Sequence, residues 1–155
     1  MIGSVRVSAK VDYAVRAVVE LATADAGPLK GDQLAAAQDI PLKFMENILG
    51  ELRRSGMVGS QRGSSGGYWL ALPPEEISVA DIIRVVEGPL ADVHGTPPER
   101  LAYTGPAAAL REVWIATRAN LRAVLETVTV ADIAKRSLPR HLVRLVDDPQ
   151  AWRRR

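Results

Sequence analysis

Between Ile40 and Leu72 the chain offers hydrogen-bond donors, acceptors and charges rather than groups suited to making or breaking bonds. Lys43, Glu46, Asn47, Glu51, Arg53 and Arg54 fall on one side of a segment. The other side carries Leu42, Met45, Ile48, Leu49 and Leu52 at three- and four-residue steps. That period marks an amphipathic helix, with one face to pack and one free to read a partner. Arg62 follows, beside the glycine-rich run Gly63-Ser64-Ser65-Gly66-Gly67. The run lacks the lysine and following helix of a phosphate-binding loop, which argues against a bound nucleotide. No cluster of nucleophile, base and orienter is present, and no set of metal ligands, so no catalytic or metal-binding residue is assigned and an enzyme has little support. The absence of cysteine excludes disulfides, thiolate metal sites and cysteine nucleophiles, and fits a reducing cytoplasm.

These groups need a frame. Val5 to Ala24 reads as a first helix with Ser8 as its N-cap, with Val11, Ala14, Val15, Val18, Leu21 and Ala22 inward, and with Gly27-Pro28 as its stop. Asp32 to Gln38 reads as a short second helix. Pro41 fits the first position of a third, so the two meet at a tight turn, a helix-turn-helix spacing. After Gly56 the pattern shifts to strands over Val58–Arg62 and Tyr68–Leu72, a hairpin with a flexible tip. Helix followed by hairpin is the working end of a winged helix. Ile77 to Glu87 reads as a fourth helix, with Ser78 as N-cap and Asp81 completing a capping box. Residues 89–106 form a long aperiodic loop, a plausible place for a sensor or a partner. Pro106 then opens the longest helix, to about Thr127. Leu110, Trp114, Thr117, Leu121, Val124 and Val128 follow a heptad seam there, widened by Val113 and Leu125, which points to a dimerisation helix. Thr129-Val130-Ala131-Asp132-Ile133 matches Ser78-Val79-Ala80-Asp81-Ile82 as a second capping signal.

The fold class expected is mainly α with a small β-hairpin wing. A winged helix-turn-helix domain spans 1–88, a loop 89–105, a dimerisation helix region 106–134 and a basic tail 135–155. With 155 residues the chain can bury a sizeable core. No apolar run reaches membrane-spanning length and no signal-peptide pattern opens it, which implies no membrane and a cytoplasmic location. Basic against acidic residues number 8 and 7 over 1–72, 5 and 9 over 73–134, and 7 and 2 over 135–155. The reading segment is nearly neutral, so affinity for a polyanion must come from where its cations point and from doubling in a dimer.

The chain resembles the Rrf-two type (IscR-, NsrR- and CymR-like) winged-helix transcription regulators over nearly its whole length. The likeness rests on Ser8-Ala9-Lys10 with Tyr13-Ala14-Val15, on Ile40-Pro41 with Phe44-Met45-Glu46 and Ile48-Leu49, and on Leu52-Arg53-Arg54-Ser55-Gly56-Met57-Val58. Arg62-Gly63 with Gly66-Gly67-Tyr68, Val79 to Ile83 with Val86-Glu87-Gly88, Trp114, and Val130 to Ile133 extend it. The resemblance implies a homodimer on imperfect inverted repeats of double-stranded DNA, acting as a repressor. It puts Lys43, Phe44, Glu46 and Asn47 at the major groove and Arg62 at the base of a minor-groove wing. The chemistry agrees: Glu46 can accept from cytosine N4, Asn47 can pair with a base edge, and Arg62 suits a narrow minor groove. Ser8, Lys10, Ser64, Ser65 and the backbone at Gly66 could hold phosphates, with Arg53 and Arg54 as further cations. Cluster-binding relatives carry three cysteines in the loop that corresponds to residues 89–106. This chain has none, which implies a cluster-independent member with no cofactor; whether a small-molecule effector acts on it is left open by the sequence.

Alternatives stand beside these readings. Lys43, Arg53 and Arg54 could form an ordinary solvated face, Phe44 could pack on Tyr68 or meet a thymine methyl, and Trp69 and Trp114 suit core or interface anchors. His94 and His141 read as surface residues, and the Arg153-Arg154-Arg155 end as a solvated tail. A second class of function is a protein-interaction module that docks a metabolic enzyme and binds DNA only with, or only without, that partner. A ligand pocket between the long helix and the reading segment is a further option.

Overall fold

The computed structural model describes residues 6–154; Val5 and Arg155, named above, lie outside the described residues. Helix α1, Ala9–Ala22, starts where Ser8 caps it by accepting from the Val11 amide at 3.1 Å. Val11, Ala14, Ala17, Val18 and Leu21 are buried along one stripe. Ala17 replaces the expected Val15 and Ala22, which are only half-buried.

Helix α2, Gly31–Ala37, turns into α3, Leu42–Arg54, through Asp39 at φ 51°. The Ile40 amide closes the turn on Ala35 O at 2.9 Å, and Arg16 donates to Gln38 O at 2.8 Å, satisfying a carbonyl at the end of α2. Pro41 is the N-cap of α3 rather than its first residue. Met45, Ile48, Leu49 and Leu52 are each at most 1% exposed, and burial of such side chains contributes about 1.5–3 kcal/mol apiece. Leu42, placed on that face by its spacing, is 45% exposed, because at the first turn its side chain extends past the core.

Strands β1, Val58–Gln61, and β2, Gly67–Leu70, pair antiparallel with Val58 opposite Leu70 and Gln61 opposite Gly67. Leu29 adds a third rung, exchanging backbone hydrogen bonds with Tyr68 at 2.7 and 3.0 Å. Trp69 lies across the strand pair on Gly59, where any Cβ would meet the indole at 2.5 Å. Helix α4, Val79–Val86, packs behind α1 and α3 and carries the expected capping box of Ser78 and Asp81.

The long helix α5, Leu110–Leu125, has no buried residue and rests mainly on α4 and on the turn Pro98–Arg100. Arg118 reaches back to Glu99 at 2.7 Å. A backbone amide at Glu99 and then this guanidinium hold the carboxyl below its usual pKa. The expected seam divides in two. Trp114, Thr117, Leu121 and Leu125 turn toward a space shared with their own α1 and α4, whereas Val113 is 52% exposed on the outer flank. Val128 lies beyond the end of α5 at 5% exposure, so it is a core residue of its own chain and not part of a seam.

Helix α6, Val130–Ala134, returns to the core against α1, capped by Thr129 and Asp132. Its cap pairs with the cap of α4: Val79 N donates to Val128 O at 3.0 Å and Val130 N to Ile77 O at 2.9 Å. Residues 128–134, grouped with the dimerisation region from sequence, thus pack with the winged-helix core. Helix α7, Arg140–Val146, follows, with Val143, Leu145 and Val146 exposed. No helix among the described residues is long and apolar enough to cross a membrane.

Candidate nucleic-acid interface

Because Met45, Ile48, Leu49 and Leu52 take one side of α3 into the core, helical geometry forces Lys43, Glu46, Asn47, Arg53 and Arg54 outward. All five are exposed, and Arg62 is exposed at the end of β1. None of these six side chains makes a hydrogen bond or ion pair among the described residues. The surface charges around α5 behave differently: Arg84, Arg111, Arg118 and Arg122 are each paired with a glutamate. Long cations left unpaired beside a protruding hairpin keep their donors for another molecule.

Lys10, Phe44, Glu46, Asn47 and Arg54 line a shallow depression of about 340 Å³ on this face. Lys10 is not a free cation, since its ammonium lies 2.9 Å from Glu51. Phe44 is 58% exposed, and its ring packs edge-on with Tyr13, 6.3 Å between ring centres, rather than with Tyr68. Arg16 stacks over the other partner of that pair, 5.0 Å from the Tyr13 ring centre. The Ser8 hydroxyl is already occupied on both sides, accepting from Val11 and donating to Glu87, so it is a structural cap rather than an open phosphate contact.

At the wing tip Ser64 and Ser65 are exposed, while Gly66 is buried and its amide donates to Gly63 O at 3.1 Å. Gly66 therefore shapes the turn and does not offer its amide to a phosphate. A Cβ there would sit 2.1 Å from Gln61 O, and Gly63 at φ 108° makes the bend that brings the chain so close. Gly66→Ala is expected to destabilise the wing by about 1–3 kcal/mol through this overlap. Hydrogen exchange checks it: the wing amides should exchange faster while the amides of α1 and α3 keep their protection.

A helix-turn-helix whose second helix presents an open polar face, flanked by a glycine-tipped hairpin, defines a winged helix-turn-helix DNA-binding protein. A family profile described as "Rrf2: Iron-dependent Transcriptional regulator" matches residues 7–136. A protein of Mycobacterium tuberculosis strain H37Rv, assigned as an HTH-type transcriptional regulator, is 52% identical over 147 residues, spanning 94% of this chain and 91% of that one. The HTH-type transcriptional regulator CymR of Bacillus subtilis is 35% identical over 130 residues, or 83% and 89% of the two chains. The solved structure of that CymR, the global cysteine regulator of B. subtilis, superposes with a TM-score of 0.72 at 34% identity, covering 85% of this chain and 98% of that one. IscR of T. potens gives a TM-score of 0.68 at 30% identity over 98% and 94%. The chain belongs to the Rrf2 family of DNA-binding transcriptional regulators.

The iron in the family description has no fitting donor set here. Cluster iron takes thiolates, the chain contains no cysteine, and no group of three or more histidines, aspartates or glutamates gathers among the described residues. Sequence reasoning missed Tyr13 and Glu51 as partners of the reading face. Tyr13 sat within a matched motif, and Glu51 was read as one more polar residue of the helix. Leu29, the extra rung under the wing, carries no signal of its own in the sequence.

Proposed function

We propose that this chain acts as a homodimeric repressor in the cytoplasm, occupying an imperfect inverted repeat with α3 in the major groove and the wing in the minor groove. One observation carries the reading: Lys43, Glu46, Asn47 and Arg62 are exposed together and have no partner among the described residues. Lys43, Arg53 and Arg54 supply phosphate contacts, and Ser64 and Ser65 add hydroxyls at the wing tip. Repression follows from occupancy, since a protein that covers a promoter excludes the polymerase by volume. The regulator works without an iron–sulfur cluster. Recovery and sequencing of genomic fragments bound in the native cell tests the proposal. An enriched inverted repeat supports it, and its absence from the bound fragments overturns it.

Glu46 has a particular part. Its carboxylate repels phosphate everywhere and is compensated only where a base-edge donor such as cytosine N4 faces it. Glu46→Ala is therefore expected to relax base preference by about 1–3 kcal/mol at one position of each half-site, with little loss of affinity for random DNA. Competition binding across a set of single-base operator variants measures this. Equal losses on operator and random DNA would contradict it.

A further inference from the structure

The chain has one phenylalanine, and it lies on the surface of the reading helix. Phe44 is the third residue of α3, at the N-terminal end by which a recognition helix meets base edges. Lys43, Glu46 and Asn47, exposed around it, all carry hydrogen-bonding groups. A lone exposed apolar residue is ordinary on a protein surface, but this one is held in place. The Tyr13 ring stands edge-on to it, the two planes at 73°. Tyr13 is covered in turn by the Arg16 guanidinium, which Asp12 engages at 3.1 Å and the Gln38 carbonyl at 2.8 Å. A ring braced before binding loses little freedom when a partner covers it.

Gly50 lines the same depression as Phe44. Outside the helix backbone, the nearest atom that a Cβ there would meet is Arg54 Nη1, at 3.4 Å, so packing within the chain does not call for glycine. Glycine inside a helix is unfavourable relative to alanine, and its use is to let another molecule approach the backbone closely. The bare position leaves room for a base edge beside the ring.

We propose that Phe44 reads a thymine in each half-site by covering its 5-methyl group in the major groove. The inference rests on the operator-binding reading above and adds a base to it. The ring has no donor or acceptor in its plane. Set against the amino, carbonyl and N7 groups that mark adenine, guanine and cytosine, it would displace water without replacing the hydrogen bonds lost. The thymine methyl is the one apolar feature among the four base edges in that groove. Glu46 and Asn47 thus select by hydrogen bonds, and Phe44 selects by the feature that makes none.

Deoxyuridine substitution tests this, because it removes the methyl and keeps every hydrogen-bonding group of the base pair. Each thymine of the operator recovered from the native cell is replaced in turn, in both half-sites together, and the affinity of the full-length protein is measured by fluorescence anisotropy. One thymine per half-site is expected to show a loss of about tenfold for the pair, the scale set by two buried methyl groups. In Phe44→Ala and Phe44→Gln that loss should disappear with the thermal unfolding midpoint retained, whereas Glu46→Ala should keep it. A penalty that persists in either folded Phe44 variant, or that vanishes in Glu46→Ala as well, overturns the inference. Loss of the fold in both Phe44 variants overturns it too, since the ring would then be a packing residue. An operator without a methyl-sensitive thymine overturns this inference alone, and the absence of any enriched repeat overturns the operator reading and this inference with it.

Discussion

Val113→Glu is expected to yield a folded monomer whose operator affinity is lower by about a hundredfold or more, because the second reading head is no longer tethered to the first. The side chain is 52% exposed in the protomer, so the new carboxylate is solvated there and the fold does not depend on it. On the outer flank of α5 it would stand in an apolar contact between two copies, formed with Leu110 and Val124, where an unpaired charge is strongly disfavoured. The size of the effect follows from the charge balance: with 8 basic and 7 acidic residues over 1–72, one head has little non-specific hold on DNA. Sedimentation gives the mass, and fluorescence anisotropy compares a full operator with a half-site. A dimer that survives the substitution, or undiminished operator binding by a monomer, would refute the assignment of this flank.

Arg62→Ala should cost about 10- to 100-fold in operator affinity and reduce the salt dependence by about one counterion per head. Arg62 is exposed, has no partner among the described residues, and sits immediately before Gly63, where the chain bends at φ 108° into the tip. A guanidinium placed there can enter a narrow minor groove, whose negative potential is strongest over A·T tracts. Arg62→Lys should restore only part of the loss, since an ammonium keeps the charge but is more strongly hydrated and lacks the planar fork. Anisotropy titrations over a range of salt concentrations separate the two terms. Thermal stability should stay unchanged in both variants, and a loss of fold would mean that Arg62 supports the hairpin instead.

What could be read beforehand was what repeats locally. The three- and four-residue spacing of Met45, Ile48, Leu49 and Leu52 defines α3, and the capping box of Ser78 and Asp81 defines the start of α4. What could not be read depends on distant partners. Ser8 lies 79 residues from Glu87, so nothing near it shows that its hydroxyl is already engaged. Phe44 meets Tyr13 because α1 crosses α3, a consequence of packing that no local pattern encodes. The α5 stripe was visible as a stripe, but an apolar face does not reveal whether its own chain or another copy covers it. The structure turns Trp114 and Leu121 inward and leaves Val113 outside. The match between Thr129–Ile133 and Ser78–Ile82 was legible as two caps, whereas their pairing with each other was not.

In the proposed dimer, that pairing governs how two heads can meet a duplex. Through Val79 with Val128 and Ile77 with Val130, the C-terminal end of α5 is bolted to the same core that carries α3. A partner held on α5 is then set at a fixed pitch relative to the reading helix. On B-DNA, successive major-groove faces recur about every 34 Å, so fixing the pitch also fixes the rotational phase at which both heads reach bases together. In such a dimer the spacer length is selected before any base is contacted. A related regulator with the same α3 but a differently pitched α5 would use the same half-sites at another spacing, and the two could share a cell without crossing.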